Sequence, residues 1–196
     1  MPRCVVHNAA DIEALQDQIG KAAKKARENL SRLVEEPMEA LYKLKLRRSG
    51  YKLLEKEPDD SDNLIEQLNQ TFTMMATLAA ARRLLECFPE TKYKGLQLNL
   101  GRAHGPDIKS IGWNLVEAEV FVAVTPRNNR KLKEDVYRVG ESNATYRYVF
   151  FHCPDERSGR RIKLEDNYKQ YLGKQPGIKV VIWSLEKSEI LWKDHR

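Results

Sequence analysis

Glu117 and Glu119 lie two residues apart inside the apolar run Leu115-Val116-Glu117-Ala118-Glu119-Val120-Phe121-Val122-Ala123-Val124. Alternate side chains of a strand point to opposite faces, so the two acids share one face. Val116, Ala118, Val120, Val122 and Val124 form the other, which reads as a core face. Paired carboxylates in a largely buried strand repel each other and resist ionisation unless something positive joins them. A divalent cation is the simplest such partner, and a third acid, Asp107, follows Gly105-Pro106 just upstream. This pattern points to metal-dependent chemistry. Two plainer explanations stand beside it: acids that solubilise an exposed sheet end, and a salt-bridge network with nearby basic residues.

The flanking sequence must position these acids. Residues 9–36 carry a helical stripe of Ile12, Leu15, Ile19, Ala22, Ala26, Leu30 and Leu33 at spacings of three and four, with Asn8 as cap and Pro37 as terminator. A second helical piece is expected over 38–47, and the polar stretch 52–63 reads as a loop. The spacing predicts a long helix over 63–87, with a stripe of Leu64, Leu68, Phe72, Met75, Leu78, Ala79 and Leu85, and small residues at 79–81 that admit close packing. From Gly95 the period changes from 3.6 to 2. Strands are expected over 95–101, 107–111 and 113–124, the last two joined by a tight hairpin at Gly112. A charged helix over 126–139, a strand over 146–152, a turn over 154–159, a short helix over 164–172 and a core strand over 178–183 follow. The hairpin requires antiparallel pairing, whereas the helical connections permit parallel pairing. An α/β fold with a central mixed sheet and helices on both faces results. Residues 1–62 are expected to form an N-terminal helical arm and 63–196 the α/β core, the whole being one compact domain.

With 196 residues the chain can bury one substantial core, and 41% hydrophobic with 32% charged residues suits a soluble globular protein. No run approaches the roughly 20 apolar residues of a membrane helix. The opening Met-Pro-Arg-Cys-Val-Val-His-Asn is too weakly apolar for a secretory leader, so a cytoplasmic, intracellular site without membrane contact is expected. The net charge of +6 fits a polyanionic partner without requiring one. Cys4, Cys87 and Cys153 are scattered and odd in number, which suggests neither disulfides nor a cysteine-zinc site; Cys87 and Cys153 are expected in or near the core.

The order β-β-β-α-β, with Pro106-Asp107 on the second strand and, after nine intervening residues, Glu117-Ala118-Glu119 on the third, resembles the PD-(D/E)xK nuclease superfamily over about residues 63–183. The resemblance implies a restriction-endonuclease-like core and a Mg²⁺-dependent DNA endonuclease, most closely a type II restriction enzyme, with Mn²⁺ as a substitute ion. By motif position Asp107 and Glu117 become metal ligands, and Glu119 stands where the superfamily usually has lysine. The catalytic set it implies is Asp107, Glu117 and Glu119. The residues' own chemistry is compatible. Mg²⁺ takes oxygen ligands and stabilises charge at phosphorus. Asp107 and Glu117 could reach one ion from adjacent strands, the Ala118 carbonyl could join them, and Glu119 could hold the attacking water or a second ion.

Glu66 on the preceding helix, Lys109 and His104 are candidate supporting residues. Arg127, Asn128, Asn129, Arg130 and Lys131 follow the acidic strand and are candidates for contacts to double-stranded DNA, as are Arg157, Arg160 and Arg161 on a basic turn. A homodimer would cut both strands of a palindromic site. Glutamate in the lysine position also admits a catalytically inactive DNA-binding relative of the nucleases. An interaction module that works through the helical arm is a further alternative.

Overall fold

Asn8 and Asp11 open the first helix by capping each other. Asn8 Oδ1 accepts the Asp11 N–H at 3.1 Å, and Asp11 Oδ2 accepts the N–H groups of His7 and Asn8 at 2.7 and 3.3 Å. These side chains satisfy donors that a helix start leaves orphaned. Asn8→Ala is expected to cost about 1 kcal/mol of stability in urea unfolding. The helix α1 spans Ala9–Leu33 and buries Ile12, Ile19 and Ala26, as its periodicity predicts.

The structure, a computed structural model, describes residues 3–33, 38, 42, 45, 64–101, 104–123, 131–152, 178–184 and 189–193. The turn expected over 154–159, the helix over 164–172 and most of the helical piece over 38–47 lie outside the described residues. So do the candidate DNA contacts Arg127, Asn128, Asn129, Arg130, Arg157, Arg160 and Arg161.

Helix α2, Leu64–Cys87, corrects the expected stripe. Its C-terminal half is buried at Leu78, Ala79, Ala80, Ala81, Leu84 and Leu85, but Leu68 and Phe72 face solvent. The buried phase runs instead through Met74, Thr77, Ala81, Leu84 and Phe88. Carried back toward the N-terminus, that phase turns polar residues toward the sheet, because they line a cavity there. A single helical turn, α3 (Thr91–Lys94), leads into the sheet. Cys87 is exposed rather than in the core, because it ends the helix.

Seven strands form one mixed sheet in chain order: β1 Arg3–Val6, β2 Leu96–Asn99, β3 Ile108–Ser110, β4 Val116–Val122, β5 Tyr146–His152, β6 Ile178–Ser184 and β7 Glu189–Lys193. Pairing is antiparallel from β1 to β4, parallel from β4 through β6, and antiparallel again at β7. Helix α4, Lys131–Gly140, connects the parallel pair β4 and β5, as such pairs require. The edge strands β1 and β7 were not expected from the pattern.

Alternation in β4 sets the two sides. Val116, Ala118 and Val120 join Leu96, Leu98, Tyr148 and Phe150 in a core with α1 and α2. Glu119 and Phe121 point the other way, with Val149 and Phe151, and α4 lies over them through Leu132, Val136 and Val139. The sheet is thus flanked by helices on both faces. Among the described residues no helix is long and apolar enough to cross a membrane.

Candidate functional site

The turn between β3 and β4 decides which acids meet. Ser110 Oγ accepts the N–H groups of Leu115 and Val116, both at 3.1 Å, and donates to the Trp113 carbonyl at 2.5 Å. These bonds hold a wide loop over 111–115, not a tight turn at Gly112. Ile108 then pairs with Ala118 and Lys109 with Glu117. One position further along the same register, Asp107 falls opposite Glu119.

The structure therefore brings Asp107 to Glu119 and separates it from Glu117. Asp107 Oδ2 accepts the Val120 N–H at 2.7 Å, and the Asp107 carboxyl shares a hydrogen bond with Glu119. Glu117 is half-buried between Lys109 on one neighbouring strand and Arg147 on the other, by register. Ala118 is fully buried and paired on both sides, with Ile108 and Tyr148.

Helix α4 adds three residues that the sequence analysis did not bring together. Asp135 is fully buried, and Lys131, four residues earlier, donates to its Oδ1. Arg138 Nη1 donates to Glu119 Oε1 at 3.0 Å and lies 3.6 Å from Asp135 Oδ1. The signal was present: Lys131, Asp135 and Arg138 are spaced by four and three, so they share a helix face. Lys131, a candidate DNA contact, is thus engaged with a buried acid. Asp135 Oδ2 has no hydrogen-bond partner among the described residues.

Three carboxylates and two cations make a network in which protons are held tightly. Burial, and then the charges of Asp107 and Asp135, lift Glu119 to about 8 against the opposing pull of Arg138. Burial also raises Asp107, partly offset by the Val120 N–H and Glu119. Burial raises Asp135 against the hydrogen bond from Lys131. Like charges that close cannot both ionise, so Asp107 and Glu119 share a proton near neutral pH.

Asp107 also reaches the opposite side of the strand. It lines a cavity of about 150 Å³ together with Glu66, Asn69, Gln70, Thr73 and Asn99. Thr73 and Thr77, which also line it, donate their hydroxyls to carbonyls one turn back. The supporting candidate Glu66 is therefore brought to the same cavity as Asp107. His104 is exposed, and its carbonyl accepts a bond from Arg3 at 3.3 Å.

Among the described residues no group of three or more acidic, histidine or cysteine side chains could hold a metal ion. Mg²⁺ asks for less. It is commonly held by one or two carboxylates, with water and substrate oxygens completing its shell. The hard oxygens of Asp107 and Glu119, joined by a displaceable proton, fit that requirement. Compared with known proteins, the chain matches no family model, no curated protein and no solved structure.

Proposed function

We propose that this protein is a Mg²⁺-dependent DNA endonuclease on a restriction-endonuclease-like core, acting as a homodimer on double-stranded DNA. The observation that carries the proposal is the Asp107–Glu119 carboxyl pair, held by register and lying beside a cavity lined by both polar and apolar side chains. Asp107 and Glu119 would hold the ion, with Glu66 across the cavity. The ion supplies charge stabilisation at phosphorus and lowers the pKa of a water. Arg138 fixes Glu119 and offsets its charge when the shared proton leaves. Asp107 stays aimed by the Val120 N–H. In this geometry Glu119 takes the ligand role that motif position gives to Glu117, and Glu117 is a strand residue flanked by cations.

A second proposal is favoured by the Arg138 contact. A guanidinium 3.0 Å from Glu119 already supplies the positive partner an ion would provide. That arrangement suits a nuclease-fold protein that binds DNA without cutting it.

Plasmid digestion with Mg²⁺ or Mn²⁺ separates the two. Cleavage by the wild type is expected to fall roughly 10³-fold in Asp107→Asn and in Glu119→Gln, a loss of several kcal/mol of transition-state stabilisation. Glu117→Gln is expected to retain most activity. Loss in Glu117→Gln with retention in Glu119→Gln would return the ligand role to the motif position. Intact plasmid with every divalent ion, together with unimpaired DNA binding, would establish the non-cleaving protein.

A further inference from the structure

The other end of β4 carries a second chemistry. Tyr93, on the single turn α3, is 84% exposed, and Trp113, at the β3–β4 loop, is 43% exposed. Lys94 Nζ lies 5.0 Å from the centre of the Trp113 ring. Lys92, on the same turn as Tyr93, is exposed, and its carbonyl lies 3.2 Å from His7 Nδ1. Lys94 thus joins the Trp113 loop to the turn that also carries Lys92 and Tyr93.

Two glycines make room for this arrangement. Gly112 has φ +74°, and a Cβ there would lie 2.7 Å from Lys94 Cδ and 2.9 Å from its Nζ. The positive φ of Gly112 would strain any other residue, and a side chain there would have to push the Lys94 tip aside. Gly95 has φ +91°, and its Cβ would meet Val5 Cγ1 at 2.7 Å and His7 Cε1 at 2.9 Å.

We propose that Tyr93, Trp113, Lys92 and Lys94 form a platform for single-stranded nucleic acid, on which unpaired bases stack while the lysines follow the phosphates. Large exposed rings offer faces to any base, and interleaved cations complement the backbone. On the same turn Lys92 and Lys94 outweigh Glu90. A duplex hides its base faces and gains little from the rings. The platform is separate from the acid pair: Trp113 lies in the loop before β4, and Glu119 stands about 10 Å further along the strand from Val116. The inference does not depend on cleavage.

Fluorescence anisotropy of a labelled oligo-dT, with the matched duplex as comparison, tests the proposal. Trp113→Ala is expected to weaken oligo-dT binding by tenfold or more, and Trp113→Phe to restore most of it, whereas duplex affinity changes little. Lys92→Gln with Lys94→Gln should reduce the slope of log affinity against log salt by about 1.4. Equal oligo-dT affinity in wild type and Trp113→Ala, as a protein-docking patch would give, overturns the proposal. So does absence of oligo-dT binding by the wild type.

Discussion

Replacing Glu119 with glutamine is expected to stabilise the protein at pH 8 and to flatten its dependence on pH. A group whose folded pKa lies above its unfolded value keeps a proton that the unfolded chain has already released. Stability is then complete below the unfolded value and falls as pH rises through the folded one. For Glu119 that window runs from 4.5 to about 8. Asp107 and Asp135, both raised, act in the same direction. The wild type is therefore expected to lose stability between pH 5 and pH 8, with Glu119 contributing on the order of 3 kcal/mol. Glutamine imitates the protonated acid. Its carbonyl accepts from Arg138 and its amide donates to Asp107, without a charge to bury. Urea unfolding from pH 5 to pH 9 should show the two proteins converging at low pH and separating as pH rises. A wild type that becomes more stable than Glu119→Gln with increasing pH would refute the shared proton. Mg²⁺ should raise the wild-type melting temperature most at high pH, since it competes with that proton, and should leave Glu119→Gln unchanged.

The second large effect lies beneath α4. Phe151 is fully buried in the middle of the sheet, and its ring stacks on Phe121 with centroids 5.2 Å apart. The register pairs these two residues directly across β4 and β5. Phe151→Ala removes that contact and leaves a void beneath Leu132, Val136 and Val139. The expected loss is roughly 3–5 kcal/mol, because a packed core relaxes only partly around a cavity. A fall of about 10 °C or more in melting temperature follows for a chain of this size. Calorimetry reads it directly. A loss below about 1 kcal/mol would mean that α4 does not pack tightly against this face of the sheet.

How far the sequence disclosed all this varied with the physics involved. Helix α1 was legible because Ile12, Ile19 and Ala26 keep one phase and Asn8 marks its start. Strand β4 was legible because its apolar alternation has one buried solution. Helix α2 misled at Leu68 and Phe72, because near the cavity its polar side faces inward and apolarity no longer marks the core. Small apolar residues around Ala79-Ala80-Ala81 carry little phase with which to correct the error. Strands β1 and β7 are short edges with too few residues to establish a period.

The acidic residues were visible, but their pairing was not. A two-residue turn at Gly112 would have set Asp107 opposite Val116 or Ala118, on the other face of the strand. The wider loop gathered by Ser110 sets it opposite Glu119. Turn geometry of this kind depends on a hydroxyl that reaches four backbone groups, which residue spacing does not encode. Asp135 escaped for a different reason: a lone acid on a charged helix looks solvated until the packing direction of that helix is known.

Because strand order follows chain order, assembly divides unevenly along the molecule. From β2 to β7 each strand finds its partner among segments close in the chain, so the sheet can grow by accretion. Val6, in contrast, pairs with Leu96, and closing that long loop carries an entropic cost before any pairing returns it. The first strand is the clasp, the last to fasten and the first to open. Its opening would bare the edge of β2 and uncover Val6 at the border of the core. The carboxyl pair, between β3 and β4 with β2 and β5 outside them, stays enclosed while the border frays.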